Sequence, residues 1–587
     1  MKNPYKTYLM EYVKNNFHKD PFDNNTSNHK TKIKVACILD KFSYECFKHE
    51  GDFVQLGTDN WQIIIDRFEP DLLLVESAWE GYENQWANKI ANLHLKKSNT
   101  LVSLIKYCNK KNIPTVFWAK EDPSDFQIFI EAAKHFDYVF TTDSDSIGKY
   151  KSILNHDRVF LLPFAAQPKL HNPIDKNKLK VGDVAFAGGW YDKFPNRCAE
   201  MENILKPAFK YDLVIFDRFR DRNLKYFLFP KEYQPYIKGS LDYKDMVTEY
   251  KKYNVFLNVN SINDSPTTFA RRVFELLACG TPIISGYSKG IENLFGDIVQ
   301  FSKNKEDTEK LLDLLLKDKE LRDRLSILGI REIFTHHTYS HRFNTILDKL
   351  GIENPNIQNE GVSIITCTKR PNSLKNIISN YLSQTYPVKE LIIIINKDSI
   401  DLELWKEVLK KYKDIMVYKL SEKKSLGECL NFAIEMSNHP YISKFDDDDY
   451  YGPNYLLDMM NGFKYTEADV IGKYSTYAYL ESSKSLVIRY PNVEHQYATF
   501  VAGSTLTIRK DIFNDMEFPH LSRGEDTKFL LECKSKGIRV YSMDRFNHVV
   551  IRRPDISSHS WQITEDHFMK NSELVRITKD YKSLTTI

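Results

Sequence analysis

No apolar run in this 587-residue chain approaches the roughly 20 residues that a membrane-spanning helix needs. The longest runs, such as Leu391 to Ile395, have strand length. The opening MKNPYKTYLMEYVKNNFHKD lacks the apolar core of a secretory signal. Cysteine is scarce: eight residues, with no C-x-x-C pair. That spacing argues against a zinc site or a disulfide framework and suits reduced thiols in a cytoplasm. Net charge is also small, because 82 Lys+Arg against 79 Asp+Glu leaves +3, which makes no electrostatic case for nucleic acid as a partner. No repeat recurs at a fixed period, which excludes a solenoid.

What the chain does have is 42% hydrophobic and 13% aromatic residues, enough for several cores. Residues 1–31 are a polar lead-in. From Lys32, short apolar runs (IKVACILD, DLLLVES, TVFWAK, YVFTTD) alternate with helical spacing, as at Thr100 to Lys110. This pattern predicts a parallel sheet covered on both faces over residues 32–175. A second such block, 176–350, starts at DVAFAGG. Residues 351–360 (GIENPNIQNE) read as a linker. A third α/β block, 361–587, opens on the strand VSIITCTKRP. The expected fold class is α/β, with two Rossmann-like lobes followed by one further α/β domain.

The third block carries the clearest chemistry. In YISKFDDDDYYGP a strand runs into four consecutive aspartates, Asp446 to Asp449. Their mutual repulsion needs a cation or full solvation. A solvated acidic loop is one reading. The other is a Mn²⁺ or Mg²⁺ site, since ligands of open α/β sheets bind beyond the carboxyl ends of strands and carboxylates suit these ions. Downstream, Gly524, Glu525 and Asp526 begin a helical pattern. Negative charge there stabilises a helix start, and a carboxylate near a metal loop can also take a proton from an attacking hydroxyl.

The motifs VSIITCTKRP, QTYP followed by ELIIIIN, FDDDD and GED, in that order, resemble the inverting GT-A glycosyltransferases of the large family that includes polysaccharide and teichoic-acid transferases. The resemblance implies a metal site at Asp448 and Asp446, completed by His559 or His548, and a catalytic base at Asp526 with Glu525 beside it. It also implies a nucleotide-sugar site lined by Thr366, Thr368, Lys369, Arg370, Asn396, Asp398, Asp446 and Asp447. Thr366, Cys367 and Thr368 replace the family's usual Pro-Thr-Tyr, and Asn396 leads where an Asp pair is usual. Both departures leave the nucleotide base open.

In the first two blocks, Gly188 and Gly189 allow close backbone approach to a ligand, or a tight turn. The stretch TTFARRVFELLACGTPIIS carries Arg271, Arg272 and Glu275, suited to a diphosphate and a ribose, or to a solvated helix face. Together with ESAW (76–79) and KEDP (120–123), it resembles the CgeB-like (spore maturation) GT-B glycosyltransferases. Thr267 stands where broader GT-B families carry a first Glu, so this half is either a second transferase or a non-catalytic glycan- or nucleotide-binding unit. The expected function is transfer of a sugar from a nucleotide-diphosphate sugar to a glycan, lipid-linked or protein acceptor of a bacterial surface. Peripheral membrane association is compatible with a lipid-linked acceptor. A metal-dependent phosphodiesterase is the alternative for the aspartate run.

Overall fold

The computed structural model describes residues 32–93, 100–222, 227–355, 360–555, 559 and 562–587. The lead-in 1–31 and residues 356–359 of the linker fall outside them.

The first two blocks form two six-stranded sheets in which every pairing is parallel. The first holds β1 (Lys34–Ile38), β2 (Asp52–Gln55), β3 (Leu72–Glu76), β4 (Thr115–Ala119), β5 (Tyr138–Thr141) and β6 (Val159–Leu161), in the order 2-1-3-4-5-6. The second holds β7 (Gly182–Gly188), β8 (Leu213–Asp217), β9 (Ile237–Gly239), β10 (Tyr253–Asn258), β11 (Ile283–Ser285) and β12 (Gln300–Phe301), in the order 12-11-10-7-8-9. Strands β3 and β4 are buried along their whole length, as parallel strands covered on both faces must be. The helix Tyr339–Leu350, placed with the second block on sequence, packs instead on the first sheet, where Tyr339, Phe343, Ile346 and Leu347 join Val35, Cys37 and Phe47. Helix α1 (Arg272–Ala278) lies in the second lobe. The charged stretch after it is broken at Asp318, whose side chain caps helix α2 (Lys319–His336).

The third block supplies β13 (Val362–Thr368), helix α3 (Leu374–Ser383), β14 (Lys389–Ile395), β15 (Ile415–Lys419), β16 (Tyr441–Lys444), β17 (Tyr450–Tyr451), helix α4 (Tyr455–Tyr465), β18 (Val470–Gly472), β19 (Thr476–Leu480), β20 (Ser485–Arg489), β21 (Gln496–Ala498), β22 (Thr507–Arg509), helix α5 (Glu525–Ser535), β23 (Val540–Ser542), β24 (His548–Arg552) and β25 (Ser572–Ile577). They build a mixed eight-stranded sheet, 15-14-13-16-22-18-23-21, and a five-stranded sheet, 17-24-19-20-25. Strands β14, β13 and β16 run parallel side by side, so their carboxyl ends open on one edge.

The second lobe and the third block are not separate cores. One continuous apolar cluster contains Phe274, Ile330 and Phe334 together with Tyr455, Met459 and Tyr465. Across the same seam Arg331 of α2 forms a two-pronged ion pair with Asp458 of α4, at 2.7 and 2.8 Å. Among the described residues no helix is long and apolar enough to cross a membrane.

Asp122, in the first lobe, makes a pH-dependent prediction. Its carboxylate is 2% exposed and accepts hydrogen bonds from Thr141 Oγ1 (2.6 Å) and Tyr150 OH (3.3 Å). Burial pushes its pKa up to about 7 despite those bonds. A carboxyl raised in the folded state binds more protons there than in the unfolded chain, so its contribution to stability falls between about pH 4 and pH 7. Asp122→Asn should therefore gain stability relative to the parent by roughly 2–4 kcal/mol on going from about pH 4 to pH 8. Denaturant titrations at the two pH values measure the difference. A difference that does not change with pH contradicts the assignment.

Candidate active site

Strand β16 ends at Lys444, and the four aspartates follow one residue later. Their burial alternates. Asp446 and Asp448 keep 38% and 15% of their side chains exposed, whereas Asp447 and Asp449 keep 6% each. The two open carboxylates are thus the alternate pair expected as metal ligands. Asp447 accepts from Thr368 Oγ1 at 2.5 Å and pairs with Arg370. Burial raises its pKa to about 6, with Arg370 opposing. Burial also raises Asp449, helped by Asp448 and Asp446. Asn376 and Asn380 of α3 clamp the loop by donating to the carbonyls of Asp447 and Asp449 at 2.9–3.1 Å.

Lys444, 5% exposed, joins this loop to the second carboxylate motif. Its Nζ lies 2.5 Å from Asp446 Oδ1. Burial opposes its charge, but Asp446, Glu525 and Asp526 around it outweigh burial and keep its pKa raised. Helix α5 starts at Gly524, whose φ of 72° is the left-handed region that glycine tolerates. Glu525 is buried, and burial raises its carboxyl, with Lys444 opposing. Asp526 is half-buried and lies against Gly503, where a Cβ would overlap its Oδ2. Sequence reasoning missed Lys444. Its signal was a lysine inside the buried run YISKF, a position where lysine is rare unless paired.

The remaining expected residues are placed less uniformly. Thr368 and Arg370 join the acidic loop, as above. Thr366 lies back inside the sheet at 1% exposure, and Lys369 is exposed. Asn396 ties strand ends together, its backbone N–H donating to Thr368 O (2.8 Å) and its Nδ2 to Ser421 O (2.7 Å). Asp398 is exposed and accepts from Glu422 N at 3.2 Å. His548 is fully buried between Tyr451 and Tyr455, with Nε2 3.3 Å from Ser504 Oγ and 3.5 Å from Asp449 Oδ2. Burial, helped by Lys473 and opposed by Asp446, lowers its pKa to about 3. His559 Nε2 accepts the backbone N–H of Arg553 at 2.9 Å.

In the two-lobed half, Gly188 gives room to the ring of Phe186, and Gly189 to the ring of Phe219. Glu275, 2% exposed, accepts from Tyr250 (2.9 Å) and Tyr243 (3.0 Å) and pairs with Arg271. Burial would raise its pKa, but Arg271, His171 and the two tyrosines outweigh burial and hold it low. Arg271 also stacks 4.0 Å over Phe42 of the first lobe. Lys120 lies 4.4 Å from the same ring and pairs with Asp40 (2.5 Å) and Glu76 (3.0 Å). The segments ESAW, KEDP and ARRVFE therefore meet between the lobes. A second tie is Ser265 Oγ donating to Asp143 Oδ1 at 2.6 Å, with Thr267 Oγ1 donating to Thr142 O at 2.8 Å.

Among the described residues no three His, Cys, Asp or Glu side chains gather as a metal cage. The donor chemistry of Asp446 and Asp448 still fits Mg²⁺ or Mn²⁺, which commonly takes one or two carboxylates and completes its shell with substrate phosphates and water.

Two family profiles match the chain. Residues 363–515 match the profile described as glycosyl transferase family 2, and residues 212–348 one described as glycosyl transferase-like. No curated protein matches. Among solved structures, S. aureus TarS 1-349 in complex with UDP-GlcNAc is 17% identical with a TM-score of 0.29, covering 36% of this chain and 64% of that one. The mannosyltransferase PcManGT from Pyrobaculum calidifontis, in complex with GDP-Man and Mn²⁺, is 13% identical with a TM-score of 0.26, covering 35% and 58%. The chain thus spans less than two thirds of either relative. The chain carries a glycosyl transferase family 2 domain over residues 363–515 and a glycosyl transferase-like domain over 212–348.

Proposed function

We propose that residues 361–587 transfer a sugar from a nucleotide-diphosphate sugar to a hydroxyl of a surface-glycan acceptor, with inversion and with a divalent metal. The observation that carries this reading is the placement of the open pair Asp446 and Asp448 and the helix-start acids Glu525 and Asp526 around the buried Lys444. Asp446 and Asp448 would hold Mn²⁺ or Mg²⁺, which supplies charge neutralisation to a leaving diphosphate when bound. His559 and His548 remain the candidate histidines to join them; His559 Nε2 would first have to give up the backbone N–H of Arg553. Arg370 and Thr368 fix the buried Asp447 and so set the direction of the loop. Asp526 takes the acceptor hydroxyl's proton on its carboxylate as the new bond to the anomeric carbon forms and the bond to the diphosphate breaks. Lys444 keeps Asp446 and Glu525 charge-compensated. The eight cysteines are all free and six are buried, which suits our placement of the reaction in the cytoplasm.

For residues 32–350 we favour a binding or scaffolding role over a second transfer. Arg271 and Glu275, expected to meet a diphosphate and a ribose, satisfy each other and the tyrosines instead.

Turnover of UDP-GlcNAc or GDP-Man, the ligands of the two solved relatives, or of another nucleotide sugar should vanish with EDTA and return with Mn²⁺ or Mg²⁺. Asp448→Asn should weaken donor binding and lower the rate, each by about 10-fold or more, the scale of a lost metal contact. Full activity in EDTA, or an unaffected Asp448→Asn enzyme, contradicts the reading.

A further inference from the structure

The acidic loop has its charge answered by side chains. Lys444 pairs with Asp446, Arg370 with Asp447 and Asp448, and Arg553 with Asp448. The two guanidinium contacts to Asp448 Oδ2 are each 3.0 Å. Arg370 is shared with the buried Asp447 and is anchored there. Arg553 is differently built. It follows β24, its backbone N–H is fixed by His559 Nε2 at 2.9 Å, and its guanidinium reaches the half-open Asp448 rather than the buried Asp447.

Asp448 cannot keep both guanidinium groups on Oδ2 and also hold a divalent cation there without crowding three positive groups together. A diphosphate resolves this conflict, because its oxygens take a guanidinium in the same forked geometry as a carboxylate does. We propose that Arg553 is a diphosphate-binding residue that Asp448 holds until the donor arrives. On donor binding its guanidinium leaves Asp448 for the diphosphate, and Asp448, left with the Arg370 contact that Asp447 shares, gains an open side for the metal. This rests on the donor-site reading above and adds to it a residue that contacts the leaving group and a coupling between metal and donor binding.

The exchange makes predictions of opposite sign for one substitution. In the full-length chain, Arg553→Met removes the cation that competes for Asp448. Mn²⁺ alone, followed by the loss of its free-ion EPR signal, should bind about 3–10-fold more tightly. With Mn²⁺ saturating, the tightest ligand of a panel of UDP, GDP, ADP, CDP and dTDP, measured by titration calorimetry, should bind about 10-fold more weakly. Arg553→Lys keeps the charge but loses the fork. It should leave Mn²⁺ affinity near the parent's and still weaken the nucleotide, and it carries the test if the Met variant does not fold. Nucleotide affinity unchanged in Arg553→Met overturns the exchange. So does a variant in which Mn²⁺ and nucleotide both bind more weakly, which would make Arg553 a support of the loop only. A parent chain that binds none of the nucleotides with Mn²⁺ overturns the donor-site reading, and the exchange with it.

Discussion

Asp526→Asn should lower the turnover rate by about 10²-fold or more while leaving donor affinity close to the parent's. The substitution keeps the shape of the side chain and part of its hydrogen bonding, but an amide does not accept the proton that the acceptor hydroxyl must lose. Donor affinity is spared because the diphosphate is assigned to the Asp446–Asp448 side of the site. The competing role of Asp526 is structural: it sits in the first turn of α5 and its Oδ1 accepts the backbone N–H of Thr527 at 2.6 Å. Charge at a helix start contributes about 0.3–1 kcal/mol. A small fall in stability with an unchanged rate per folded molecule would therefore reduce Asp526 to a helix-start residue. Glu525 is the weaker candidate for the base because it is 5% exposed and faces Lys444, which leaves an acceptor little access.

The second large effect is on stability. Arg331→Ala should destabilise the chain by about 3–5 kcal/mol, the usual consequence of removing one partner of a buried ion pair. Asp458 is 5% exposed, and besides Arg331 its Oδ2 accepts only from Asn547 Nδ2, at 3.0 Å, among its described side-chain partners. Burial already raises its pKa, and Arg331 is the largest influence opposing that. Without Arg331 the carboxylate is left charged and enclosed, or must take up a proton. Chemical denaturation near pH 7 measures the loss. Arg331→Met combined with Asp458→Leu should recover most of it, because a buried pair replaced by apolar groups costs little. A loss below about 1 kcal/mol for Arg331→Ala would place the pair among surface ion pairs of small effect.

The same seam bears on modularity. The polar segment 351–360 suggests on sequence that residues from about Asn359 onward fold alone. The contacts across the seam lead us to expect the opposite. The ring of Phe334 of α2 packs tilted against Tyr465 of α4 with centroids 4.7 Å apart, and Arg545 of the third block pairs with Glu320 (2.7 Å) and Asp323 (3.0 Å) of α2. Cutting at the linker would expose that apolar face and strand Arg545 beside Glu494 alone.

Particular residues show what the sequence made legible. The apolar runs at Val362, Leu391 and Tyr441 read as strands because parallel strands buried on both faces lose the period-two pattern and become continuous. The aspartate run at the end of one of them, and the glycine before Glu525, located the site. The alternation that leaves Asp446 and Asp448 open and buries Asp447 and Asp449 was not legible, since four identical side chains carry no pattern of their own. The helix Tyr339–Leu350 has an apolar face, but nothing in its spacing says which sheet that face meets. Thr366 and Thr368 share one face of β13, yet only Thr368, at the strand end, reaches the acidic loop. Arg271 and Glu275, four residues apart around the start of α1, read equally well as ligand contacts or as a pair with each other, and they pair with each other.

The most direct test is transfer and hydrolysis from a panel of nucleotide sugars with Mn²⁺ and with EDTA, comparing the parent chain with Asp526→Asn. The account predicts that at least one sugar is released from its nucleoside diphosphate in Mn²⁺, that EDTA abolishes the release, and that Asp526→Asn lowers it by about 10²-fold or more with donor binding retained. Release that persists in EDTA, or that Asp526→Asn leaves intact, would contradict it.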